Sequence, residues 1–313
     1  MSSSRVSQNR PAVAHGRQIL SRGKTVQLLI EMTINGMMLA TSMMLVGLGF
    51  TLLHSILRVV NLAHGEFYML AAMLVWYFMS GYHLNYPLAI LISMVIVIAF
   101  GLLVERYALR KFRGDLLSGL IVSMGLVFIL QQGSLLFFGT ETKNIPSAFP
   151  GNLAFAGIQI SKERVVISLI SLAIIVVLII FVNRFKAGRA MRAVAQDEDA
   201  ARLQGVSIRY ISTLIMALAC GLGAIAGGLM APVFMIVPTM GLPFLLKTVI
   251  AITLGGIGSI GGAVLGAVIV GMVESYVSTL ISIEIAYIAL FGILALILVV
   301  KPGGFFGTPY EYV

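Results

Sequence analysis

The sequence predicts an all-α fold: a polytopic membrane helical bundle of about 8–10 transmembrane helices, at least one of them broken or re-entrant. Three observations carry that expectation. The chain of 313 residues is 59% apolar and only 11% charged, with a mean hydropathy of +1.03. A soluble domain carries about 25% charged residues, so this chain is too poor in charge to cover its own surface in water. Apolar runs free of Asp, Glu, Lys and Arg recur at the length of a membrane span, with basic residues gathered between them. One short segment, Arg58–Glu66, sets ionisable residues between two such runs.

Residues 1–25 are polar and basic, with Arg5, Arg10, Arg17, Arg22 and Lys24. They lack an apolar core, so they read as a cytoplasmic or disordered leader and not as a cleavable signal peptide. The charge-free runs Met32–Leu53, Leu84–Val104, Leu116–Thr140, Val165–Asn183, Thr248–Val273 and Ile285–Val300 each fit one span. Tyr210–Leu246 has room for a span plus a turn or a second, partial helix, and Phe67–Tyr82 is short enough to be one end of a broken helix. The chain thus divides into the leader, a single transmembrane domain over 26–307 with a polar cytoplasmic segment at about 184–209, and a tail at 308–313.

Two connections are strongly basic, Glu105–Asp115 and Arg184–Arg209, and the positive-inside rule places both in the cytoplasm. That rule also accounts for the net charge of +9 without nucleic acid. The connection Glu141–Arg164 is then external and Lys301 internal. The first third of the chain does not close so simply. Two plain spans between Thr25 and Tyr82 leave the basic leader outside. Either the leader breaks the rule, or a re-entrant or broken helix near His54–Glu66 alters the count; the polar cluster there favours the second.

In "RVVNLAHGE", Arg58, His64 and Glu66 must pair, reach an interface or line a wet path, because each costs about 2.5–3.5 kcal/mol in a membrane core. Gly65 permits a bend or a close backbone approach, and Asn61 is placed to cap a helix restarting at Leu62 or Ala63. An interfacial turn with a satisfied histidine and a broken helix beside a solute path both fit. Gly188–Gly205, "GRAMRAVAQDEDAARLQG", is too polar to span and reads as a short cytoplasmic helix stopped by Gly205. Lys247, the only charge between Tyr210 and Val273, either snorkels to the external interface or faces a cavity.

Enzyme chemistry finds little support. Cys220 is the only cysteine and the four histidines are scattered, so no metal site is legible. "GLPFLLKT" fails as a phosphate loop because Leu246 stands where glycine is required. Gly256, Gly258 and Gly261 spell G-x-G-x-x-G, with Glu274 following, but a dinucleotide turn needs a neighbouring strand and water. Within an apolar run, Gly255, Gly256, Gly258, Gly261, Gly262 and Gly266 instead serve to break one helix, begin another and let helices pack closely, Gly262–Gly266 having the G-x-x-x-G spacing.

Three stretches in this order, "GLGFTLLHSILRVVNLAHGEFYMLAAM", "GRAMRAVAQDEDAARLQGV" and "LLKTVIAITLGGIGSIGGAVLGA", resemble the LivH-type permease subunits of bacterial branched-chain amino-acid ABC importers. The resemblance covers about Asn35 to Gly307. It implies a multi-pass subunit of the bacterial inner membrane, embedded in lipid, that works with a second related permease, two cytoplasmic ATPases and a periplasmic solute-binding protein. ATP-Mg is then bound by the partner subunits and no cofactor by this chain. The implied cargo is a branched-chain or other small apolar amino acid. In the cytoplasmic segment, Gly188, Glu198, Ala200, Ala201 and Gly205 resemble the family's ATPase-coupling pattern, with Asp199 interrupting it. Asn61, His64, Gly65 and Glu66 become candidates to face the solute path or to hold the broken helix together. The rival readings are a urea or short-amide ABC permease and an ion-coupled secondary transporter using Glu66 and Glu274 as proton sites. The acidic, small-residue cytoplasmic helix argues against the latter, which has no ATPase to engage.

Overall fold

A computed structural model describes residues 22–57, 60–112, 115–155, 158–256, 258–301 and 303–306. Leader residues 1–21, Arg58 and the tail 307–313 lie outside the described residues. Eleven α-helices are found among the described residues: α1 (Arg22–Leu57), α2 (His64–Tyr82), α3 (Tyr86–Tyr107), α4 (Leu116–Phe138), α5 (Lys162–Arg184), α6 (Lys186–Gln196), α7 (Glu198–Leu203), α8 (Ile208–Met230), α9 (Gly241–Gly255), α10 (Ile260–Leu280) and α11 (Ile283–Val300). An antiparallel hairpin, β1 (Asn152–Phe155) and β2 (Ile158–Ser161), pairs Asn152 with Ser161 and Leu153 with Ile160. Seven of the described helices are long and apolar enough to cross a membrane. To these the bundle adds α2, whose first turn carries His64 and Glu66, and α9, which has only 15 residues.

Helix starts follow capping chemistry. Asp115, Asp197, Ser207, Ser259 and Ser282 each accept a backbone N–H from the first turn of the helix they precede. α2 stops at His83, the one described non-glycine residue with a positive φ, +54°. The segment expected to be one cytoplasmic helix is two, because Asp197 is extended and caps α7.

α1 is the central helix and packs on α10, α8, α5 and α9. Its core face is rich in methionine and leucine, including Met38, Met43, Leu45 and Leu48. α4 and α11 turn large apolar side chains outward, among them Ile121, Phe128, Ile129, Ile288 and Leu296, as lipid-facing helices do. α3 and α8 approach until Cys220 occupies the space that a side chain at Gly101 would need.

The β-hairpin and α6–α7 lie at opposite ends of α5, so the hairpin end is external if the basic α6–α7 end is cytoplasmic. α1 begins at the hairpin end. Gln27 and Glu31 share a cavity with Asn152 and Arg164, Gly36 meets Gly271 on α10, and Gly47, further along, meets Thr248 and Ile252 on α9. The break after α1 therefore does not change the crossing parity. α1 therefore starts at the same end of the bundle as the hairpin, opposite α6–α7.

Lys247 has partners that hydropathy did not reveal: α9 begins at Gly241, so Lys247 sits mid-helix, paired with Glu274 of α10 at 2.5 Å and lying 4.9 Å from the Tyr287 ring centroid on α11. A membrane interior makes each of these charges costly alone, so the pair ties three helices together.

Removing one partner should therefore harm more than removing both. Lys247→Met is expected to destabilise the folded chain by about 3–5 kcal/mol, and Lys247→Met with Glu274→Leu to recover most of that. Thermal unfolding of the purified protein in detergent checks it; equal melting temperatures for the single and double variants would contradict the buried pairing.

Candidate functional site

His64 contacts α1 at Val46 and beside Gly49, although α1 continues to Leu57. Eleven helical residues correspond to about 16 Å. The start of α2 therefore lies that far back along α1 from Leu57. α2 consequently starts inside the apolar layer and climbs to Tyr82 at the external end. A helix beginning there exposes its first N–H groups to a medium without water, which side chains or neighbouring backbone must satisfy.

The "NLAHGE" residues do this. Asn61 is not the helix cap; its Oδ1 accepts from Ala63 N at 3.1 Å, and its carbonyl accepts from His64 N at 3.2 Å, one turn ahead of the helix. The His64 ring lies between Phe50 and Phe67, each with its centroid 6.3 Å away. Its Nε2–H donates to the Val46 carbonyl at 3.1 Å, since a carbonyl only accepts. Glu66 Oε1 accepts from Gln131 Nε2 of α4 at 2.8 Å. Glu66 Oε2 faces the positive N-terminal end of α9 at Gly241. Ser123 of α4 donates to the Val60 carbonyl at 3.2 Å. Gly65 is straight helix and not a bend: a Cβ there would stand 2.4 Å from the Gly241 carbonyl. Close approach of α2 and α9 is what requires glycine.

Asn61, His64, Gly65 and Glu66 are thus brought into one junction of α1, α2, α4 and α9. All four are buried, so in this conformation they hold the break together and do not meet open space. Gln131, Ser123 and Gly241 complete the junction and were not singled out from sequence. A signal existed for one of them: Gln131 is a strongly polar residue in the charge-free run of α4, and such a side chain in lipid requires a partner.

The glycine set lies at the other end of α9. α9 ends at Gly255, Gly256 and Gly258 take φ of +106° and +91°, and Ser259 caps α10. Backbones of α9 and α10 touch: a Cβ on Gly255 would lie 1.9 Å from the Gly262 carbonyl, and one on Gly266 equally close to the Ala251 carbonyl. Gly261 has open space where a side chain would stand, so no close packing demands glycine there. The final carbonyls of α9, on Leu254 and Gly255, accept from Phe305 and Phe306 N–H.

The cytoplasmic set is separate from both. Gly188 packs its backbone on the Phe181 and Val182 carbonyls at the end of α5, where a Cβ would not fit. Ala201 is buried, while Asp199, Ala200, Arg202 and Leu203 are exposed, and Leu203 is 89% exposed. Arg202 pairs with Glu198 at 3.0 Å. Gly205, at φ +81°, closes α7 through its own N–H to Arg202 and Val206 N–H to Ala201.

A family profile described as "Branched-chain amino acid transport system / permease component" matches residues 32–300. The chain is 30% identical over 295 residues to the high-affinity branched-chain amino acid transport system permease protein BraD of Pseudomonas aeruginosa, covering 90% of this chain and 96% of that one. It is also 30% identical over 296 residues, with the same coverage, to the permease protein LivH of Escherichia coli. The fructose import permease protein FrcC of Rhizobium meliloti matches at 30% over 184 residues, 55% of this chain and 49% of that protein.

The junction makes a stability prediction of its own. Glu66→Ala leaves the buried Gln131 amide unpaired and should cost about 1–3 kcal/mol. Adding Gln131→Leu should restore part of the loss, as read from melting temperatures in detergent; strictly additive losses would show that the two side chains do not interact.

Proposed function

Because the chain belongs to the family of branched-chain amino acid transport permease components, we propose that it is the membrane-spanning subunit of an ATP-driven importer that carries branched-chain or other small apolar amino acids. It is a multi-pass protein of the bacterial inner membrane and a transport subunit. The proposed complex contains a second related permease, two cytoplasmic ATPases that bind ATP-Mg and hydrolyse it, and a periplasmic solute-binding protein.

The observation that carries the coupling half of this reading is α7. It is a two-turn helix at the cytoplasmic end, presenting an apolar tip, Leu203, and the small exposed Ala200, with Asp199 and Arg202 beside them. An isolated exposed leucine is ordinary on a soluble surface, but one flanked by small and charged groups on a rigid, capped helix suits a protein partner. Motion applied to α7 has a route inward. α7 joins α6, α6 rests by Gly188 on α5, and α5 packs on the central α1.

In the membrane, α9 is the element best placed to respond. It is short, flanked by a glycine turn at one end and by the Glu66 junction at the other. A shift of α9 relative to α2 changes the surroundings of Asn61, His64 and Glu66. These buried polar groups then serve as positioning residues for the path, and weak solute binding suits a route that must also release its cargo.

Two outcomes test the reading. His64→Ala and Glu66→Gln should each lower ATP-driven leucine uptake at least several-fold in vesicles carrying the fully assembled complex. Unchanged uptake by either assembled variant would remove these residues from the mechanism. Leu203→Asp and Gly205→Trp should lose copurifying ATPase subunit; the positive φ alone costs a non-glycine residue at Gly205 about 1–2 kcal/mol. Full ATPase retention with normal uptake would assign the coupling contact elsewhere.

A further inference from the structure

A cavity of about 430 Å³ lies at the cytoplasmic ends of α3 and α8, lined by none of the Glu66 junction residues. Its walls come from the last turns of α3, the 3-10 turn Leu109–Phe112 that follows, and the first turns of α8. Three arginines reach it: Arg106, Arg110 and Arg209. They are not equivalent. Arg110 is neutralised by a two-fold hydrogen bond to the buried Glu105, Nε to Oε1 at 2.8 Å and Nη2 to Oε2, and it also donates to Thr213 Oγ1 at 3.0 Å. That network is a rigid floor. Arg106 has an aromatic contact, 5.5 Å above the Tyr107 ring centroid, and among the described residues no carboxylate pairs with Arg106 or Arg209. The cavity thus carries two uncompensated positive charges.

Its other surface is aliphatic. Leu102 and Leu103 line it, and Leu103 is largely exposed on the side of α3 that faces lipid. Tyr107 and Tyr210, adjacent in sequence to Arg106 and Arg209, are both exposed at the same level. Tyrosines concentrate where hydrocarbon meets headgroups, so the cavity sits at headgroup depth on the cytoplasmic side. Charge above, aliphatic wall below and interfacial depth together match one ligand class.

We propose that this cavity binds the phosphodiester headgroup of an anionic phospholipid, with Arg106 and Arg209 holding the phosphate and an acyl chain lying along Leu102 and Leu103. Basic pockets between transmembrane helices on the cytoplasmic side are suited to such headgroups, each arginine contributing about five-fold in affinity. Because α3 and α8 also pack on α2, a bound lipid would brace the bundle from its inner rim.

Native mass spectrometry of the full-length chain with its partners, taken from nanodiscs of phosphatidylcholine with graded phosphatidylglycerol, tests this. The wild type should retain phosphatidylglycerol over phosphatidylcholine. Arg106→Gln and Arg209→Gln should each weaken retention roughly five-fold, and together roughly twenty-five-fold. Arg106→Lys with Arg209→Lys keeps the charge and should keep most of the retention, which holds the test open if the glutamine pair folds poorly. Lys111→Gln, outside the cavity, should change nothing. Equal retention by wild type and the double glutamine variant overturns the proposal. So does an equal loss with Lys111→Gln, which would mean a diffuse surface charge, and so does displacement of the lipid by millimolar inorganic phosphate, which would mean a phosphate site.

Discussion

Everything near the centre of this molecule depends on one constraint: backbone polar groups at membrane depth have no water to bond. The chain departs from helix inside the apolar layer between α1 and α2, and it stops and restarts a helix between α9 and α10. At the first break Asn61 closes a turn on Ala63, and His64 ties α2 to the Val46 carbonyl of α1. At the second, Ser259 caps α10 and the backbone of Phe305 and Phe306 takes the last carbonyls of α9. Each break is bonded by protein from another part of the chain.

α9 spans the distance between the two breaks and is the element both of them define. Its outer end abuts Gly65 and Glu66, its inner end is the glycine turn, and its middle is held by the Lys247–Glu274 pair. Tyr68 stacks on Phe244 at 4.3 Å, adding an aromatic contact between α2 and α9. Small residues allow the backbones of α2, α9 and α10 to touch, and touching backbones transmit displacement with little slack. A short helix so bounded has few intermediate positions, a property that suits a carrier alternating between two states.

Much of the bundle was legible in advance because lipid imposes a simple rule. Long charge-free runs must be helices, and Met32–Leu53, Leu84–Val104, Leu116–Thr140 and Val165–Asn183 fall within α1, α3 (apart from the first two residues), α4 (apart from the last two residues) and α5. The runs around Lys247 were harder. Hydropathy registers a lysine as an edge, and nothing local reveals that Glu274, 27 residues later, stands opposite it. The end of the bundle at which α1 starts was hard to read for a related reason: the basic leader is a local signal, while the packing of α1 against α10 and the hairpin end is not. The segment 184–209 is polar and helical, but its division at Asp197 depends on a cap geometry that spacing alone left open.

By itself the sequence determined that this chain lives in lipid, which connections are basic, and that "NLAHGE" and the glycine run are places where helices stop and start. Composition and capping chemistry are local, and local chemistry is readable in one dimension. Only the tertiary structure decided which partners those groups have: Gln131 for Glu66, Val46 for His64, Gly262 for Gly255, Glu274 for Lys247. Those pairings join residues on different helices, and their geometry exists only once the helices have packed. Packing alone gives these buried polar groups their partners across the broken helix.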